Sequence, residues 1–405
     1  MRYLCFSPIK LSLFSLGLVC LLVTLEAKQV GPWNLDTLYK VPAWEQTDRA
    51  SQDGMTGILY ESIPFQGNRV QVFAYYGVPE GEAPEEGWPA VVCVHGGGGT
   101  AFPEWVAKWN AQGYAAISMD LEGHYPIHKS ERREDGRIST EHPGPTRVGV
   151  FNDFDEPIDE QWYYHAVAQV VLAHSLLRSF PEVNAKQVGL TGISWGGNLT
   201  STSMGVDDRF TFAIPVYGCG FLPDSDGHQG EVIKPGKHTQ VVNRYWDGSA
   251  YFQNVQMPTF WVNGTNDKHF PLPATQASSR AVQGKATLRY EVRMRHGHYP
   301  GWEPEEIYAF ADSVVKDGDP LIEFGKPELD KNKASVSFET PLTVQAATLV
   351  YTTDSGIWNQ RLWKEEAADI AKSSLSAEIP EGTTALFFNA TDDQGRMVSS
   401  VYVGR

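Results

Sequence analysis

Ser194 stands in Gly192-Ile193-Ser194-Trp195-Gly196, a glycine-flanked serine of the G-x-S-x-G type. With 38 glycines in 405 residues, roughly 0.2 chance matches are expected in a chain this long. The context gives the match its weight. A short apolar stretch, 188–191, leads in, and a small-residue run from Gly197 leads out. That is the strand–turn–helix setting in which a nucleophilic serine is held in a strained turn between side-chain-free neighbours. A serine hydroxyl attacks poorly at neutral pH, so it needs a base, and the base needs a carboxylate to orient it. Downstream, Asp267 follows the apolar run 259–263, and Arg295-His296-Gly297-His298-Tyr299 follows the run 288–293. Ser, Asp and His thus come in the order this kind of fold uses. Either histidine could take the serine proton.

Acyl transfer through a serine also needs donors for the oxyanion of the tetrahedral intermediate. His95-Gly96-Gly97-Gly98-Gly99 follows the apolar stretch 90–94 directly. Its backbone N–H groups can converge without side chains in the way. The expected pair is Gly97, with Gly98 as rival, together with the N–H of Trp195. A phosphate-cradling loop would need G-K-[ST] after the glycines, and none follows.

The elements that position these groups alternate. Two β-like runs, 57–63 and 70–78, flank the turn Gln66-Gly67-Asn68. Buried strands are expected at 90–94, 114–119, 187–190, 210–217, 259–263 and 288–293, with helices at 104–112, from 159 onward and at 304–315. Strand and helix in alternation predict a mostly parallel sheet wrapped by helices, an α/β fold. After about residue 320 the texture becomes short alternating strands separated by turns, which predicts a small C-terminal all-β immunoglobulin-like sandwich. The expected organisation is a leader at 1–27, an N-terminal extension at 28–54, an α/β catalytic domain at 55–318 and the β-sandwich at 325–405.

HGGGG at 95–99, GISWGG at 192–197, GTND..FP at 264–271 and HGHY at 296–299 together resemble the α/β-hydrolase superfamily. Within it the resemblance is to the exported acetyl xylan esterase, dienelactone hydrolase and prolyl oligopeptidase-like branch, over about residues 55–318. It implies an eight-stranded sheet, no cofactor and a serine carboxylesterase or related hydrolase. It also favours His298 over His296 as the base, because similar hydrolases carry a Gly-His step. Trp195 departs from the Gln usual in cephalosporin-deacetylating esterases.

The remaining features narrow the function. Lys and Arg number 33 against 49 Asp and Glu, a net charge of −16, which repels nucleic acid. Arg2, Lys10 and the apolar run 11–25 ending at Glu26-Ala27 read as a secretory signal, with an uncleaved anchor as the alternative. A secreted or periplasmic protein without stable membrane insertion is expected, since no later run reaches the ~20 apolar residues of a span. Cys93 and Cys219 are expected as buried free thiols. No metal is expected; Asp153, Asp155, Asp159 and Glu160 read as an acidic helix start. Trp358 and Trp363 read as β-sandwich core. The polar insertions 122–158 and 218–256 carry Tyr125, Phe151, Phe154, Phe221, Tyr245, Trp246 and Tyr251, and are expected to wall the site for a neutral acetylated polysaccharide or small ester. A prolyl oligopeptidase-like peptidase and a carbohydrate-binding protein with a vestigial hydrolase domain are the other readings. Oligomeric state is not legible.

Overall fold

The computed structural model describes residues 28–50, 52, 54–126, 138–233 and 236–405; the leader read at 1–27 lies outside them. Nine strands build the central sheet: β1 (Trp44–Gln46), β2 (Thr56–Glu61), β3 (Gln71–Gly77), β4 (Trp88–Val94), β5 (Ala115–Met119), β6 (Val183–Ile193), β7 (Ala213–Val216), β8 (Thr259–Gly264) and β9 (Ala286–Glu291). They lie in the order β1-β2-β3-β5-β4-β6-β7-β8-β9. From β5 to β9 all neighbours are parallel, whereas β1, β2 and β3 join antiparallel. The parallel strands are buried along most of their length, which is why they read as continuous apolar runs rather than alternating ones.

The main helices are α1 (Pro103–Ala111), α2 (Trp162–Leu177), α3 (Trp195–Val206), α4 (Leu272–Ala281) and α5 (Glu305–Val315). Almost every residue of α2 is buried, as expected of a helix apolar all round. Asp153 accepts from the Trp162 N–H at 2.7 Å, so one carboxylate of the acidic stretch satisfies an unpaired amide of the first turn of α2. The strand order changes direction between β4 and β6, and Gly192 pairs with Val94 across them. That register sets Ser194 beside His95 and Gly96 at the carboxyl ends of the two strands, where parallel sheets place their ligands.

The C-terminal strands include β10 (Lys333–Glu339), β11 (Val344–Thr352), β12 (Trp363–Ala367), β13 (Ser374–Glu378), β14 (Ala385–Asp392) and β15 (Met397–Ser399). They form two sheets, and only one of them stands apart. β10 and β13 pair in that one. The other, ordered β15-β14-β11-β12, continues the central sheet through Leu288 of β9 opposite Ser399 of β15. With the short strand Val403–Gly404, which pairs with β14, the sheet has fourteen strands among the described residues, not the eight implied by the resemblance. Polar bonds run along the seam: Tyr290 N–H donates to Ser399 Oγ at 2.7 Å, and Tyr402 N–H donates to Gln276 Oε1 at 2.7 Å. Cys93 and Cys219 are free and buried. Among the described residues no helix is long and apolar enough to cross a membrane.

Candidate active site

Ser194 ends β6 and opens α3 with φ 60° and ψ −115°, a strained conformation for a residue bearing a Cβ. Its neighbours explain the two glycines. A Cβ on Gly192 would sit 2.2 Å from the Gly196 carbonyl oxygen, and one on Gly196 would sit 1.9 Å from that of Val94. The turn closes only when both side chains are absent.

His296 Nε2 lies 2.8 Å from Ser194 Oγ, and its Nδ1 lies 2.5 Å from Asp267 Oδ2. A carboxylate can only accept, so Nδ1 carries the proton and Nε2 accepts from the serine hydroxyl. Asp267 is buried. Its other oxygen accepts from the N–H groups of His269 and Phe270, each at 2.8 Å, which fixes the carboxylate in the turn after β8. Tyr217 packs its ring 4.7 Å from that of His296 and donates its hydroxyl to the Arg295 carbonyl at 2.8 Å. The His296 ring is thus held from both sides.

His298 does not occupy the position that the Gly-His step suggested. It begins a short helix, His298–Trp302, and its Nε2 accepts from the Gly96 N–H at 2.8 Å. Its ring packs 4.6 Å from Phe102 and 6.5 Å from Trp302. Burial, with His95 and His296 nearby, pushes its pKa down to about 4, so the ring is neutral and able to accept. The overlooked signal is the i, i+4 pair His298–Trp302, which puts the histidine on a packed helical face. His95 is neutral too: Leu121 N–H donates to its Nε2 at 2.9 Å, which leaves Nδ1 to donate to the Gly96 carbonyl at 2.7 Å. Two histidines therefore hold the two ends of the Gly96 residue.

Gly97 and Gly98 are exposed while Gly96 is buried. Gly97 lies against the nucleophile's neighbour: a Cβ there would meet the Trp195 ring at 2.7 Å. Its N–H has no acceptor among the described residues, and Trp195 N–H belongs to the first turn of α3, where helices leave amides unpaired. Gly96 N–H, by contrast, is taken by His298. The Arg147 guanidinium stands 5.2 Å from the Trp195 ring centre and donates through Nη1 to the Gly149 carbonyl at 2.6 Å.

His269 was not singled out from the sequence. Its ring centre lies 4.8 Å from that of His296, and burial beside that imidazole pushes its pKa down to about 4. Of the aromatics expected to wall the site, Phe154, Phe221 and Tyr245 are half-buried. Tyr125, Phe151, Trp246 and Tyr251 are buried and serve packing; Trp246, for example, donates to Gln161 at 2.8 Å. Phe151 reaches the site only indirectly, edge-on to Trp195 at 5.1 Å. Trp363 is buried and Trp358 stacks against it. Among the described residues no three His, Cys, Asp or Glu side chains cluster as metal ligands.

A family model described as Acetyl xylan esterase (AXE1) matches residues 45–226, and one described as Prolyl oligopeptidase family matches 148–316. Together they run from 45 to 316, which takes in strands β2 to β9 and the loops bearing Ser194, Asp267 and His296. The chain belongs to the α/β-hydrolase superfamily. Two solved structures share its fold. An acetyl xylan esterase from Paenibacillus sp. R4 is 19% identical with a TM-score of 0.54, over 70% of this chain and 92% of that one. Acetyl xylan esterase 1 from Thermoanaerobacterium sp. JW/SL YS485 is 14% identical with a TM-score of 0.52, over 72% and 96%. This hydrolase is a serine carboxylic ester hydrolase, with the acetyl xylan esterase match in support.

Proposed function

We propose that this hydrolase cleaves short acyl esters, acetyl esters first, through an acyl-enzyme on Ser194. His296 is the general base and acid, Asp267 the orienting carboxylate, and Gly97 and Trp195 supply the oxyanion donors. The observation that carries the reading is the unbroken line Asp267–His296–Ser194, at 2.5 and 2.8 Å. His296 takes the serine proton as Oγ attacks the ester carbonyl and returns it to the leaving alcohol. Water then repeats the sequence on the acyl-enzyme, releasing the acid and restoring the serine. The natural substrate is read as an acetylated polysaccharide or a smaller ester. Support for this comes from the acetyl xylan esterase match, no longer from exposed aromatic faces. The catalytic part is read as residues 55–318 and the immunoglobulin-like part as 325–405, with export directed by 1–27.

The prolyl oligopeptidase match over 148–316 favours a second reading, a peptidase. One screen separates the two: 4-nitrophenyl acetate, butyrate and octanoate, acetylated xylan, and aminoacyl anilides. Acetate turnover that falls with chain length, acetate release from xylan, and loss of activity by about 10⁴-fold or more in Ser194→Ala are expected. Efficient anilide cleavage without acetate release would favour the peptidase, and a rise toward octanoate would refute the short-acyl reading.

A further inference from the structure

The C-terminal β unit reaches the catalytic acid. Asn266, directly before Asp267, donates both amide hydrogens of its side chain into one loop of that unit, to the carbonyls of Asn359 at 2.9 Å and Arg361 at 2.8 Å. Its own carbonyl oxygen accepts from Thr265 Oγ1 at 2.9 Å. The loop that receives it is preorganised. Leu362 N–H donates to Asp354 at 2.7 Å, the Arg361 guanidinium donates to the Gly356 carbonyl at 2.9 Å, and that guanidinium lies 3.9 Å from the Trp358 ring centre. A second tether joins the loop to the 218–256 excursion, where Trp358 N–H donates to Asp226 Oδ2 at 3.1 Å.

The chain of contacts continues toward the base. Thr265 Oγ1, which donates to Asn266, accepts from the Arg293 N–H at 3.0 Å, in the segment leading to His296. One cluster, anchored by two carbonyls of the C-terminal unit, therefore fixes the loop bearing Asp267 and the loop bearing His296. A glue between units would need neither an amide with both donors and its oxygen engaged nor this placement beside the acid. We propose that Asn266 is a positioning residue through which the C-terminal β unit sets the geometry between Asp267 and His296. The unit is then a brace of the active site and not an appended module. The inference rests on the triad reading above.

The test compares Asn266→Leu, which keeps the bulk and removes both donors, with a variant whose 355–360 loop is shortened and whose Asn266 is intact. The rate at which a fluorophosphonate labels Ser194 is followed against pH, alongside kcat and KM for 4-nitrophenyl acetate and the melting temperature. Both variants are expected to label and turn over about tenfold more slowly, as two hydrogen bonds that hold the acid are lost. KM stays unchanged. The acidic limb moves down by at least ~0.5 unit, because a less well-placed Asp267 stabilises the imidazolium less. A merely structural contact lowers the melting temperature and leaves that limb in place. Wild-type rate and limb in both folded variants would overturn the proposal. If Asn266→Leu does not fold, the loop variant alone decides. If wild-type Ser194 is not labelled, the triad reading fails, and an NMR titration of the His296 ring in wild type and variant still decides whether Asn266 governs its pairing with Asp267.

Discussion

Replacing His298 with Phe removes the acceptor of the Gly96 N–H while keeping a flat ring between Phe102 and Trp302. That amide is buried, and a buried N–H left without a partner costs about 1–3 kcal/mol. The loop can relieve this by turning the His95–Gly96 peptide, which displaces the next peptide along, the one that carries the proposed Gly97 donor. If the whole cost is felt in the transition state, kcat falls by about 5- to 150-fold, with tenfold for each ~1.4 kcal/mol. A residue acting as the base costs far more, on the order of 10⁴–10⁶. The two roles are therefore separable by magnitude alone. His298→Gln places an amide oxygen near the Nε2 position and is expected to recover most of the loss, which no substitute for a general base would do. Steady-state kinetics on 4-nitrophenyl acetate for His298→Phe, His298→Gln and His296→Ala settles the matter. If His298→Phe is as inactive as Ser194→Ala and Gln does not rescue it, His298 is the base and the reasoning fails. It also fails if Phe and wild type are equal.

Gly196→Ala is expected to destabilise the fold by at least ~3 kcal/mol, beyond the usual overpacking range, because its Cβ would fall 1.9 Å from a main-chain oxygen; denaturant midpoints measure it, and an unchanged midpoint contradicts the contact. Acid should weaken the fold before the carboxylates titrate. His298 and His269 are held to about 4 by burial and neighbouring histidines, while an unfolded histidine titrates near ~6.5. Between these values the unfolded chain binds more protons, so stability falls as pH drops from about 6.5 to 4. A melting temperature flat across that window would contradict the neutral, buried rings.

The buried strands, their mostly parallel arrangement and the turn at Ser194 were legible because residue type and spacing carry them directly. Apolar runs such as 90–94 have no alternative to burial on both faces, and the glycines at 192 and 196 stand in the sequence itself, the first answering Gly196 within the turn and the second the Val94 carbonyl of the neighbouring strand. The choice between His296 and His298 was not, since both follow the same strand and only their partners in the folded chain, Asp267 and Ser194 for one, Gly96 and Phe102 for the other, separate them. The same holds for the aromatics of the two insertions. Tyr125, Trp246 and Tyr251 look identical in sequence whether they face a cleft or the core. Nor could the β9–β15 pairing be read, because nothing in either strand's own pattern names its partner.

That pairing bears on how the molecule is assembled. Tyr290 and Ser399, bonded across the join, lie 109 positions apart. Until the later residue is available, β9 is a bare sheet border with unpaired amides and carbonyls, which invites strand addition from other chains. A growing chain therefore completes β1–β9 well before the strand that covers their border exists. A strand made more than a hundred residues later supplies the border that covers β9, so a truncation that removes β15 uncovers that border as well as losing its own groups.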